Sequence, residues 1–386
     1  MKKLLIPCLL AALLIPVVAL RAQIAPGAGV AGMNVDKVVE LDLLTQTELA
    51  DKIKNGWTSV FLVAGGTEIR GPHATIGVHN VLATHRAVEA ARRLGKTIVA
   101  PTIPFAVAAT GGFNANQWTA FAENNGPTAP NPGAIQVDSA TFKGIIQGGV
   151  ESLMYIGFKD IFVMGDHGGG QNEMRQVAED MTAKFSAKGI RVHYVGDFYQ
   201  KTHDDIDMYM YQHRLPIAGH GGMMETAEMM YWEPTPFAYI RPIYKTVPFD
   251  GTRFEGPSLD ADLKAWKDAH DAREARAAAA AAAAAGGGTA GGGGGGAATA
   301  GAAGAGAGAR GGGAASGRAG GGGGGGGQRG GAAGAAGTAG AAAPPRANNG
   351  LSGNPHFATK EIGHDLAEIG ITNTVNQVKK LLAGEK

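Results

Sequence analysis

Short, wholly apolar runs alternate along this chain with longer stretches whose apolar positions recur every three or four residues. The apolar runs fall at 59–64 (SVFLVA), 97–101, 160–164 (DIFVM) and 191–195. Each predicts a strand buried on both faces. Helical spacing falls at 80–94, 140–157 and 172–188, with glycine at 95, 157 and 189, where a residue without Cβ closes a helix. Residues 48–55 read as the end of a further amphipathic helix. Strand–helix–strand alternation with apolar strands predicts an α/β fold, a mostly parallel sheet covered by helices on both faces. Ligands of such sheets bind in loops beyond the carboxyl ends of the strands. Two polar, glycine-rich loops stand there, at 65–80 and 165–172.

Two segments break the pattern. Residues 1–22 read as a secretory signal peptide: Lys2 and Lys3 precede an uncharged apolar run, and Arg21 and Ala22 follow it. A retained membrane anchor is the alternative, disfavoured by the run's length and by Pro7 and Pro16. The expected location is therefore secreted or periplasmic, with no stable membrane insertion after cleavage. Residues 277–348 are almost wholly Gly and Ala. They lack the large apolar side chains that could offset the entropy of ordering them, and they read as a disordered insert. Its first residues are an exception, because Ser258 opens like a helix cap and the alanines up to 285 favour helix. The expected domain is thus 30–276 joined to 349–386.

Composition narrows the chemistry. Cys8 is the one cysteine, and it lies inside the signal segment, so the mature chain has neither disulfides nor thiolate ligands. Without Lys2, Lys3 and Arg21, the 34 basic residues become 31 against 33 acidic ones. That near-neutral balance gives no reason to expect a nucleic-acid partner.

Three glycine-rich segments bring Glu and His together. The first, 65–80, reads G-G-T-E-I-R-G-P-H-A-T-I-G-V-H-N and contains Glu68, Arg70, His73 and His79. The second carries Asp166 and His167, the third His220, Glu225 and Thr226. Neither strand-following loop fits a P-loop or a dinucleotide fingerprint. Imidazole and carboxylate together suit a divalent metal, zinc ahead of manganese or iron.

These segments resemble the motifs of the creatininase family, E-Q-H-G-P-H-L-P-x-G-x-D, N-G-H-G-G-N and H-A-G-x-x-E-T-S, in the same order. The resemblance extends to P-G-A-I at 132–135, and to G-L-S-G-N-P at 350–355 followed by A-T-K-E-I-G at 358–363. It implies a three-layer α/β/α fold and a homo-oligomer. It also implies an amidohydrolase that breaks a C–N bond of a small or cyclic amide with metal-activated water. By position, Glu68 and His167 match metal ligands and His220 matches the proton-transfer histidine. Glu225 matches a glutamate that some members use as a ligand, and His73 a supporting histidine.

The match is broken in places. Arg70 stands where the family has a ligand His, His79 where it has a bridging Asp, Asp166 where Gly is usual, and Gly165 and Gly170 where Asn is usual. The third motif's Ser is Ala227. A neutral imidazole offers one lone pair to one metal, and a guanidinium offers none. The expectation is a single-metal centre of Glu68, His79 and His167 with Glu225, and His220 and Arg70 as catalytic groups. The alternative is a degenerate binding protein that has lost its metal. Pairing of Arg70 with Glu68 or Glu225 would weigh against the metal. The tryptophans and Met223, Met224, Met229 and Met230 read as packing residues, and His203, His213 and the acidic cluster at 204–207 as a solvated loop.

Overall fold

The computed structural model describes residues 35–107, 135–217, 219–248, 257–286, 351 and 353–385. The signal segment and almost all of the Gly/Ala-rich segment lie outside the described residues. The first α-helix among the described residues is α1 (Gln46–Lys54), capped by reciprocal hydrogen bonds between Thr45 and Glu48, a motif contributing about 1 kcal/mol. There follow β1 (Ser59–Ala64), α2 (Val78–Leu94), β2 (Thr97–Val99), and a two-stranded parallel pair, β3 (Ala106–Val107) with β4 (Gln136–Val137). Next come α3 (Ser139–Ile156), β5 (Asp160–Gly165), α4 (Gln171–Phe185) and β6 (Arg191–Tyr194). The described chain ends with α5 (Gln200–Gln212), α6 (Met223–Trp232), α7 (Pro257–Gly286) and α8 (Lys360–Ala383).

The main sheet is parallel throughout, in the order β2-β1-β5-β6. Alternate residues of β1 and β5 face opposite layers, as the pleat requires. Val60, Leu62, Ile161 and Val163 pack with Phe142, Ile146 and Val150 of α3 and Met174, Val177 and Met181 of α4. Phe61, Val63, Phe162 and Met164 pack with Ala83, Ala87 and Ala91 of α2 and Ala367, Ile371 and Val375 of α8. The result is three layers. A third apolar cluster joins Val78 and Leu82 of α2 to Ile206, Met210, Met223, Met229 and Leu366, outside the sheet.

This order places the site. After β1 the chain turns into α2 on one face. After β5 it turns into α4 on the other. The loops following these two neighbouring strands therefore diverge, leaving a crevice at their carboxyl ends. Glu68 and Arg70 stand on one side and Asp166 and His167 on the other, all just beyond the last paired residues, Ala64 and Gly165.

One expectation changes. The 204–207 cluster is helical, not a solvated loop: α5 buries Thr202, Ile206, Asp207 and Met210, Asp207 accepts from Trp266 Nε1 at 3.3 Å, and Asp205 pairs with Lys201. The helical start of the Gly/Ala segment extends through Gly286 as the end of α7. Among the described residues no helix is long and apolar enough to cross a membrane.

The α6–α8 contact supports the site from behind and depends on Gly363. A Cβ there would meet the Ala227 carbonyl oxygen at 1.9 Å and the Glu228 Cα at 3.0 Å. Both are backbone atoms that cannot turn aside. Gly363→Ala is expected to cost about 2–3 kcal/mol by overpacking, read as a lower urea midpoint. An unchanged midpoint would show that the helices separate freely.

Candidate metal centre

Glu68, His79 and His167 each present one ligand atom, and these atoms lie within 4.8 Å of one another. Glu68 Oε1 is 2.8 Å from His167 Nε2, and Glu68 Oε2 is 3.4 Å from His79 Nε2. Two ligands of a tetrahedral ion with bonds of about 2.0–2.1 Å stand about 3.3 Å apart, close to the Glu68–His79 separation, so the three groups form a possible metal site. The imidazole rings meet edge to face, with centroids 4.9 Å apart.

Different elements supply the three groups. Glu68 lies on the loop after β1. His79 is the second residue of α2, where the helix starts at Gly77. His167 follows β5 in a loop framed by Gln171, whose Nε2 donates to the carbonyls of Gly165 and His167 at 2.9 and 2.7 Å. Tyr194 Oη donates to Gln171 Oε1 at 2.6 Å and fixes that amide's orientation. Gly170, where the family has Asn, caps α4 at φ 97°. Glycine and asparagine are the residues that most readily take this left-handed conformation, which gives the exchange a backbone reason.

The histidines are held in different tautomers. His79 Nδ1 is 2.8 Å from Asp166 Oδ2, an acceptor, so Nδ1 carries the proton and Nε2 the lone pair. His167 Nδ1 accepts from the Gly169 amide at 2.8 Å, which leaves the proton on Nε2 against Glu68. To ligate through Nε2, His167 must move its proton to Nδ1, where the Gly169 carbonyl at 3.3 Å can accept it.

Arg70 is the largest departure from a simple metal site. It is buried, 1% exposed. Its Nη2 lies 2.5 Å from Glu68 Oε2 and 2.5 Å from His79 Nε2, so one guanidinium nitrogen fills the space between two of the three ligands. Its Nη1 donates to the Ile69 carbonyl, and its Nε forms an ion pair of 2.7 Å with Glu225, without the alignment of a good hydrogen bond. Glu225 also accepts from the Gly221 amide at 2.8 Å. The four-ligand expectation therefore changes: Arg70 stands between Glu225 and the ligand cluster. Arg70 also has no donor turned toward solvent for a substrate.

The charges extend inward. Asp166 Oδ1 accepts from Arg86 Nη1 at 2.6 Å, and Arg86 also grips Glu228 through Nε and Nη2. Four carboxylates (Glu68, Asp166, Glu225 and Glu228) thus surround two guanidiniums, leaving two surplus negative charges while the imidazoles are neutral. Such a surplus suits a divalent cation. Sequence reasoning passed over Arg86 and Glu228. The available signal was Arg86 seven residues after His79, on the same helix face and among alanines.

Ionisation follows this network. Burial raises the Glu68 pKa, but the hydrogen bond from His167 Nε2 and the charge of Arg70 outweigh it and hold the carboxyl well below its usual range. Burial and Arg70 disfavour the His79 imidazolium, while Asp166 and Glu68 favour it strongly enough to push the pKa to about 9. The contact with Arg70 opposes that result, since an imidazolium would set two N–H donors 2.5 Å apart. With Arg70 in place the ring is neutral, and protonating it requires Arg70 to move. His220 is exposed at the rim, and partial burial of its ring, then the Arg70 charge, lowers its pKa. His73 is fully buried against Thr226 Oγ1 at 3.0 Å, and burial pulls its pKa down to about 4.

A family model, Creatininase, described as creatinine amidohydrolase, matches residues 42–285. The chain belongs to the creatininase family. Two solved structures resemble it with a TM-score of 0.50 and 14% identity, covering 89% of this chain and 98% of theirs: a tryptophan-to-phenylalanine mutant creatininase and a creatininase named as the Mn form. A glutamate-to-glutamine mutant creatininase of Zn-Zn type aligns over the same shares at a TM-score of 0.48. At this identity the likeness speaks for the fold. No curated protein sequence matches the chain. Creatininase-family membership makes a metal-dependent amidohydrolase the broad class, and Glu68, His79 and His167 form a possible metal site.

Proposed function

We propose that this creatininase-family protein is an exported hydrolase that uses a single divalent metal, zinc before manganese or iron, to hydrolyse a C–N amide bond of a small or cyclic molecule. The observation that carries this reading is the convergence of Glu68, His79 and His167 within 4.8 Å. Where the family pattern has ligands for a second ion, this chain has Arg70 and His79. Arg70 supplies one fixed positive charge in place of that ion.

Glu68, His79 and His167 would hold the metal, which when bound supplies Lewis-acid chemistry, acidifying water and polarising an amide carbonyl. His220, with its pKa lowered by burial and then by Arg70, would pass a proton to the leaving nitrogen. Arg70 keeps Glu68 and Glu225 ionised. Export rests on the apolar run behind Lys2 and Lys3, and a homo-oligomer on the family resemblance.

The pairing of Arg70 with Glu68 and Glu225 favours a second reading, a creatininase-fold binding protein without metal. Metal analysis decides between them. The purified mature chain is expected to hold about one divalent ion, and His167→Ala to lose it together with amidase activity. Two ions per chain would overturn the one-metal reading, and none would support the binding protein.

A further inference from the structure

We infer that Asp166 is a positioning residue that presets His79 as a metal ligand, and that His79 and Asp166 are paired departures from the family pattern. The inference rests on the one-metal reading for its metal consequences. The family has a carboxylate at position 79 and glycine at 166. This chain has an imidazole at 79 and a carboxylate at 166. The carboxylate has moved one step back from the metal position, directly behind the ring.

Asp166 is 1% exposed, and both its oxygens are committed. Oδ2 takes the His79 Nδ1 proton at 2.8 Å, and Oδ1 takes Arg86 Nη1 at 2.6 Å. Arg86 is anchored in turn by Glu228, which also accepts from Trp232 Nε1 at 3.3 Å. The chain from Trp232 to Asp166 leaves the carboxylate little freedom to rotate. With the proton held on Nδ1, the Nε2 lone pair points toward Glu68 and Arg70. A carboxylate behind a ligating imidazole fixes its tautomer and orientation and raises its basicity. His167 has no such partner, since a backbone amide holds its Nδ1 and its proton sits on the ligand nitrogen. Of the two imidazoles, only His79 is preset: Asp166 holds the Nδ1 proton, and the Arg70 donor at Nε2 agrees with that tautomer.

Asp166→Asn tests this at nearly constant volume. An amide has one acceptor oxygen, and the Arg86 charge competes for it more strongly than a neutral imidazole does. The amide NH2 then faces His79 Nδ1, which must become the acceptor; the proton moves to Nε2, where Glu68 Oε2 at 3.4 Å takes it and Arg70 Nη2 has to give way. Nitrogen-15 NMR of the metal-free chain, labelled at histidine, reads that proton directly. Wild type is expected to show His79 protonated at Nδ1 alone, and Asp166→Asn to show it at Nε2. Zinc and cobalt affinities, measured by chelator competition, are expected to fall about 10–100-fold in the variant. Protonation of wild-type His79 at Nε2 overturns the inference, and so does an unchanged tautomer in the variant. The wild-type spectrum decides even if the variant does not fold. A wild type that binds no metal would sink the one-metal reading, while the tautomer result would still judge Asp166.

Discussion

Arg86→Met is expected to destabilise the protein by about 3–5 kcal/mol, the range seen when one partner of a buried ion pair is removed. Arg86 is fully buried, and its guanidinium joins Glu228 and Asp166, themselves 0% and 1% exposed. Methionine fills much of the volume, so the loss is mainly electrostatic: two carboxylates remain in a poorly solvated place without a cation. Glu228 already has its pKa raised by burial despite Arg86. Burial also pushes Asp166 up, and Arg86, followed by His79, brings it below its usual value. Without Arg86 both should rise above their unfolded values. The folded variant then binds more protons than the unfolded chain across the range between the two pKa values, so its stability falls as pH rises through that range. The deficit relative to wild type should be smaller near pH 5 than near pH 8. Urea titrations at the two pH values measure it, and a deficit below about 1 kcal/mol at both would show that water solvates the cluster.

How much of this network was visible beforehand depends on what each residue advertises. The central strands were legible because burial on both faces leaves uninterrupted apolar runs such as SVFLVA, and β1 spans the same Ser59–Ala64. The helices at 78–94 and 139–156 match their predicted spacing within two residues. α5 was hidden because its polar residues crowd into 203–205, masking the Ile206 and Met210 face. The ligand triad was legible from motifs. Its electrostatic surroundings were not. An arginine inside an amphipathic helix usually marks the solvent side, and nothing local shows that Arg86 turns inward to meet Asp166 across the chain and Glu228 from α6. Arg70 was visible as a departure from the family pattern, but not its position between Glu68 and Glu225.

Replacing Arg70 by methionine should move two quantities in opposite directions, and this separates its roles as structural counter-ion and as competitor for the metal site. In the metal-free protein, Glu225 would keep its Gly221 amide but lose its cation. Removing that partner from a buried carboxylate is expected to cost about 3–5 kcal/mol of stability. The same guanidinium, however, engages Glu68 Oε2 and His79 Nε2, two atoms that a metal needs, and places a positive charge beside the ion. A charge-assisted hydrogen bond contributes about 1.5–3 kcal/mol, so freeing those ligands should tighten metal binding roughly 10–100-fold. Arg70→Met is therefore expected to melt earlier than wild type without metal, yet gain more from saturating zinc, since a ligand bound only by the folded state stabilises it in proportion to the logarithm of its concentration over Kd. Thermal melts across a zinc series, paired with chelator competition, measure both effects. Tighter zinc binding in a less stable protein would identify Arg70 as a resident cation that the metal must share space with. Weaker zinc binding in the variant would instead show that Arg70 organises the ligands. Absence of zinc binding in both wild type and variant would leave Arg70 as the occupant of a site that no longer takes a metal.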